Sequence, residues 1–151
     1  NAVPTHLTIP SIGVDAAVTG IGLDAGQFDL APLTAHPQVA GWYIHGSTPG
    51  TPGPPAVVLA HVNWNRVPGA FADLSNVKVG DKITVVRGGA PDLTFTATKL
   101  LSWPKAKFGE LHLYAPTPDA ELLLITCGGV LDHVHHNYMN NIIVRASLDS
   151  P

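Results

Sequence analysis

The sequence is poor in reactive and charged groups. It holds a single cysteine, Cys127, so no internal disulfide can form and a free thiol is left that needs a reason outside the cytosol. Charged residues make up only 13% of the chain, Lys and Arg together number eight, and the formal net charge is −3. No basic run and no RNA-binding aromatic motif is present, which argues against a nucleic-acid partner. No signal peptide and no apolar run of membrane-spanning length appears. The abrupt start at Asn1 reads as that of a trimmed chain whose targeting segment has been removed.

Apolar residues are plentiful, at 45% of 151, so disorder is excluded and residues 1–151 are expected to form one domain with a real core. Fourteen prolines and fifteen glycines favour many turns, hence short strands over long helices. Two stretches read as buried strands. Ala56 to Ala60 is continuously apolar and delivers His61 at its end, and Leu122 to Ile125 leads through Thr126 to Cys127, Gly128 and Gly129. Glycines directly after a strand mark a backbone that turns or approaches something closely.

Further strands are expected near Leu7–Ile9, Ile12–Val18 (with Gly13 as a turn or bulge), Lys82–Arg87, Leu93–Leu101 and Asn141–Leu148. In Leu93–Leu101 the apolar Leu93, Phe95 and Ala97 alternate with Thr94, Thr96 and Thr98, the pattern of a half-buried antiparallel strand. Residues 20–37 read as loop, Val39–His45 as an aromatic segment on a sheet edge, and Gly46–Pro55 as the most loop-like stretch. Ala70, Phe71 and Leu74 have the spacing of one face of a short helical turn. Seven or eight short strands with few helices predict a β-barrel or sandwich.

Cys127, His61 and Arg145 all fall at or near strand ends. A cysteine nucleophile acts as thiolate and benefits from a nearby histidine. Acyl transfer also needs donors aimed at the oxyanion, which a permanently charged arginine or backbone N–H groups supply. Sequence spacing alone leaves two readings open: an acyl-transfer site, or a barrel with Cys127 packed silently in its core.

At these residues the chain resembles the sortases, bacterial surface cysteine transpeptidases. The family's Thr-Leu-x-Thr-Cys strand corresponds to Leu123-Leu124-Ile125-Thr126-Cys127, its arginine to Arg145 after Ile142, Ile143 and Val144, and its Gly-His to Ala60-His61. Ile9 to Val14, Phe71 to Leu74 and Val79-Gly80-Asp81 resemble further family segments in the same order, so the likeness covers nearly the whole chain. Leu123 replaces the usual Thr and Ala60 the usual Gly; the latter is expected to alter the backbone at the wall of the site.

The resemblance implies a closed eight-stranded β-barrel with short helices in the loops. It implies cleavage of a Leu-Pro-x-Thr-Gly-type sorting signal between Thr and Gly, through a thioester on Cys127. His61 is then the acid/base, Arg145 holds the substrate backbone or the oxyanion, and Thr126 lines the pocket beside the thiol. A peptidoglycan amine takes the acyl group, or water does when no amine is available, so the partners are secreted proteins bearing the signal and a cell-wall amine. The location implied is the outer face of the plasma membrane, behind an N-terminal anchor. Val62-Asn63-Trp64 and Trp103 to Phe108 look most like the actinobacterial class F, with class E next.

No cofactor is expected. The Ser102–Pro118 loop offers a calcium ion only Glu110. His133 and His135, at i and i+2, suit a metal only on a strand, so with His136 they read as a solvated loop near the site. Two other cysteine-enzyme readings fail on pattern. Ile125-Thr126-Cys127-Gly128 lacks the Ser/Thr-His-Gly-Cys context of the L,D-transpeptidases, and a papain-type enzyme places its cysteine before its histidine.

Overall fold

A computed structural model describes residues 2–64, 67–104, 114–126, 131–132, 137–138 and 140–149. Its eight main strands are β1 (Pro4–Ile9), β2 (Val14–Ile21), β3 (Ala40–Tyr43), β4 (Ala56–Ala60), β5 (Lys82–Arg87), β6 (Ala90–Pro104), β7 (Glu121–Thr126) and β8 (Asn140–Leu148). They close into a barrel in the order β1-β2-β3-β4-β7-β8-β6-β5. Two neighbouring pairs, β2 with β3 and β4 with β7, run parallel, and the other pairs are antiparallel. The expected closed, mostly β architecture is therefore what the chain adopts.

Local chemistry explains the strand limits. Pro10 starts a single 3-10 turn after β1, and Gly13 ends it in the left-handed region at φ 72°, where a side chain would be strained. Gly88 and Gly89 make the tight turn from β5 into β6. β6 begins at Ala90 and runs to Pro104, longer than its alternating pattern suggests, with register breaks after Ala90 and after Ala97. Phe95 and Ala97 are buried, Thr94 and Thr96 are partly exposed and Thr98 is exposed, as the alternation requires.

Two apolar clusters sit on opposite faces of the barrel wall. The interior cluster draws on all eight strands, with Leu7, Val14, Trp42, Val58, Ile83, Phe95, Leu124 and Val144 among its members, and Phe71, Leu74 and Val77 join it from the β4–β5 connection. The second cluster uses the alternate residues of the wall: Ile21, Val57, Leu59, Leu123, Ile125 and Ile143, covered by Leu33. This double covering is why β4 and β7 read as unbroken apolar runs, since every residue from Ala56 to Ala60 and from Leu122 to Thr126 is buried.

Two expectations differ from what is observed. Ala40–Tyr43 is not at a sheet edge: β3 is a barrel stave between β2 and β4, with Trp42 turned to the interior. Within the presumed loop of residues 20–37 lies a short helix, α1 (Ala31–Ala35), whose Leu33 is fully buried in the second cluster. Asp29 Oδ1 accepts the Ala31 N–H at its start, and Pro32 sits in its first turn, where no N–H is needed. The apolar spacing of Phe71 and Leu74 does mark buried residues, although the 3-10 turn there is Leu74–Asn76.

Candidate active site

The parallel pairing of β4 with β7 fixes the site. Ala60 and Thr126, the last residues of the two strands, are register partners. Both strands therefore end at the same level of the barrel, with their chains about 5 Å apart. His61 is the next residue after Ala60, and Cys127 is the next in sequence after Thr126. Cys127 itself lies outside the described residues, as do Glu110, His112, His133, His135 and His136.

His61 is only 4% exposed. Its ring is held from the side by α1, with Nε2 3.2 Å from Thr34 Oγ1. Its backbone is held from behind by the returning chain. The Phe71 N–H donates to His61 O at 3.1 Å, and the Gly69 N–H donates to Val62 O at 2.8 Å. The approach at Gly69 is so close that a Cβ there would lie 1.9 Å from His61 O and 2.9 Å from His61 Cβ. Ala70 N–H also donates to Pro37 O at 2.8 Å, which ties the exit of α1 to the same loop. The short ladder of Asn63–Trp64 with Val67–Pro68 turns the chain back to make this loop.

Ala60, which stands where sortases usually have glycine, lies in regular strand geometry, fully buried in the interior cluster. Its φ is not positive, so no backbone distortion follows from the methyl group.

Thr126 is fully buried at the end of β7. The β7–β8 ladder ends at Ile125 and Ile143, and the Thr126 hydroxyl then accepts the Ile142 N–H at 2.8 Å. This bond replaces the next ladder rung, so Thr126 anchors the end of β7 beside the site.

Arg145 is on β8 opposite Leu123, three residues before Thr126, or about 10 Å along the strand. It lies on the outer face with Ile143 and pairs through Nη1 with Glu121 Oε1; the two side chains are 21% and 16% exposed. Glu121 is at the start of β7, the end of that strand opposite Thr126. The structure thus brings His61 and the end of β7 together and places Arg145 further along the same wall.

Sequence reasoning missed Thr34 and Gly69. Thr34 was legible only through α1, for which Asp29 followed by Pro32 was the available signal. Gly69 carried none, because its closeness to His61 is purely three-dimensional. Among the described residues no group of three His, Cys, Asp or Glu is placed to hold a metal ion. No helix among them is long and apolar enough to cross a membrane.

Known structures share this architecture. Sortase C-1 from Actinomyces oris superposes with a TM-score of 0.75 at 20% identity, over 97% of this chain and 73% of that one. A lid mutant of sortase A from Corynebacterium diphtheriae gives 0.73 at 22% identity, over 99% and 71%. Sortase C1 from Streptococcus agalactiae gives 0.75 at 17% identity, over 97% and 67%. At such identities the likeness establishes the fold. No curated protein sequence matches the chain. The sortase domain family does match it, over residues 7–149, a span that contains His61, Cys127 and Arg145. A barrel of this topology, carrying this domain over nearly its whole length, belongs to the sortase family of cysteine transpeptidases.

Proposed function

We propose that the chain cleaves a Leu-Pro-x-Thr-Gly-type sorting signal between Thr and Gly and transfers the acyl group to a cell-wall amine. The observation that supports this most is the parallel β4–β7 register, which ends His61's strand beside the strand that leads to Cys127. In this reading the Cys127 thiolate attacks the Thr carbonyl carbon, and His61 protonates the departing Gly amine as the C–N bond breaks. The acceptor amine then attacks the thioester, gives its proton to His61, and the C–S bond breaks to release the thiolate. Water in the acceptor's place gives hydrolysis.

Arg145, fixed by Glu121, binds the main chain of the signal along the outer face of β7 and β8, and Thr126 holds the strand end from which Cys127 follows. The subclass is F, or next to it E, on the segments Val62-Asn63-Trp64 and Trp103 to Phe108. The working place is the outer face of the plasma membrane, to which an N-terminal segment anchors the full-length protein.

Intact-mass spectrometry after mixing with a Leu-Pro-x-Thr-Gly peptide, with and without a small amine, tests this reading. The expected result is a thioester adduct that the amine releases as an amide and that Cys127→Ala abolishes. An adduct only with a Leu-Ala-x-Thr-Gly peptide would move the assignment to class E. Failure of both peptides, with Cys127 readily alkylated, would overturn the substrate. Resistance of Cys127 to alkylation in the native fold would overturn the enzyme.

A further inference from the structure

We infer that Thr34 is a positioning residue for transfer: its hydroxyl accepts the Nε2–H of His61 and leaves Nδ1 as the ring atom that gives and takes the proton. The inference rests on the proposed reaction for its catalytic consequence, but the placement of the ring stands on the geometry alone. Thr34 Oγ1 is 3.2 Å from His61 Nε2. Thr34 is not on a free loop. Its helix is pinned by the fully buried Leu33, its own N–H donates to Leu30 O at 2.9 Å, and Pro37 O just beyond the helix takes the Ala70 N–H. The imidazole is equally fixed at its root, because the His61 carbonyl accepts from Phe71 and Gly69 packs against it. Both partners are therefore held before substrate arrives.

The chemistry selects the direction of the bond. A histidine acting first as acid and then as base is an imidazolium in one half-reaction and neutral in the other. A hydroxyl that donates to a bare Nε2 would have to rotate and turn acceptor each time the ring is charged, because both ring nitrogens then carry protons. An acceptor hydroxyl serves both states, as Nε2–H stays bonded to Thr34 Oγ1 throughout. Nδ1–H then delivers its proton to the leaving amine, and bare Nδ1 receives one from the incoming amine, so protons balance over the cycle. A fixed tautomer of this kind is the usual service of a neighbour to a catalytic histidine.

Proton–nitrogen correlation spectra of the histidine rings, with His61 assigned by its loss in His61→Gln, read the tautomer directly. Neutral His61 is expected to carry its proton on Nε2 in the wild type and in Thr34→Ser, and to lose that fixed preference in Thr34→Val. With sorting-signal peptide, Thr34→Val is expected to lower kcat about tenfold at unchanged KM, a small share of what a general acid–base supplies, and Thr34→Ser to restore it to within about twofold. A neutral ring protonated on Nδ1 would overturn the inference. So would wild-type kcat in Thr34→Val, or equal impairment of the Val and Ser variants, which would mark Thr34 as merely structural. If the wild type turned over no peptide, the proposed reaction would fall, and the ring spectra would still decide the placement of Thr34.

Discussion

Replacing Gly69 with alanine adds one methyl group directly against the backbone of His61. The new Cβ would meet His61 O at 1.9 Å and His61 C at 2.5 Å, where ordinary contact begins near 3.4 Å. Something must therefore move by about 1.5 Å, and the neighbours are main-chain atoms rather than flexible side-chain ends. They are also bonded: Gly69 N–H to Val62 O, Ala70 N–H to Pro37 O and Phe71 N–H to His61 O. Overpacking of this kind costs about 1–3 kcal/mol, and loosening one such hydrogen bond adds about 1 kcal/mol. A total of roughly 2–4 kcal/mol lowers Tm by roughly 5–15 °C for a chain of this size. Activity should suffer more than stability, since a catalytic group displaced by about 1 Å costs on the order of a hundredfold in rate. Gly88→Ala is the control, because its Cβ would meet only Thr5 Cγ2 at an ordinary 3.6 Å. Circular dichroism melts and kcat on a sorting-signal peptide, measured well below both melting temperatures, check the argument. Gly69→Ala with Tm within about 2 °C and kcat within about threefold of wild type would refute it.

Further outcomes are expected elsewhere. Leu124→Ala opens a cavity in the fully buried interior cluster and should cost about 2–5 kcal/mol in denaturant unfolding, with no change in the residual thiol chemistry of the folded fraction. Arg145→Ala removes the guanidinium that pairs with Glu121 and should raise KM for the peptide more than it lowers kcat, whereas Glu121→Gln should weaken the same step less, as steady-state kinetics would show. Asp149 is held below the ordinary carboxylate range by its hydrogen bond from Thr96 and then by Lys82. A lowered folded value stabilises above the unfolded pKa and is lost as pH falls through the folded one, so the Tm deficit of Asp149→Asn should be full at neutral pH and vanish in acid below the usual carboxylate range.

What the sequence made legible follows from which signals are local. The runs Ala56–Ala60 and Leu122–Ile125 announced strands covered on both faces, and the two clusters show why. The alternation in Leu93–Leu101 announced a half-buried one. The place of β3 in the barrel was not legible, because its aromatic residues suit an edge and a stave equally and only pairing with β2 and β4 decides. α1 was hidden by the Gly, Pro and Asp around it, since five residues give no helical period to detect, and Thr34 was hidden with it. His61 stood out by chemistry at a strand end. The offset of Arg145 from Thr126 could not be seen, because the distance between two strand positions depends on register, which a single sequence does not display.

The parallel contact of β4 and β7 also governs how the protein comes together. Parallel neighbours cannot be joined by a tight hairpin, and here the chain between them builds β5 and β6 before it returns. Closing so long a loop costs entropy before any contact at the strand ends offsets it, which makes such topologies slow to fold. The two strand ends beside His61 thus meet only once the chain has passed through β5 and β6 and returned as β7. A half-formed barrel would hold the histidine strand without its neighbour. On the proposed reading, the meeting of thiol and base then waits on this one long-range contact, and a chain that has not yet made it is not assembled for acyl transfer.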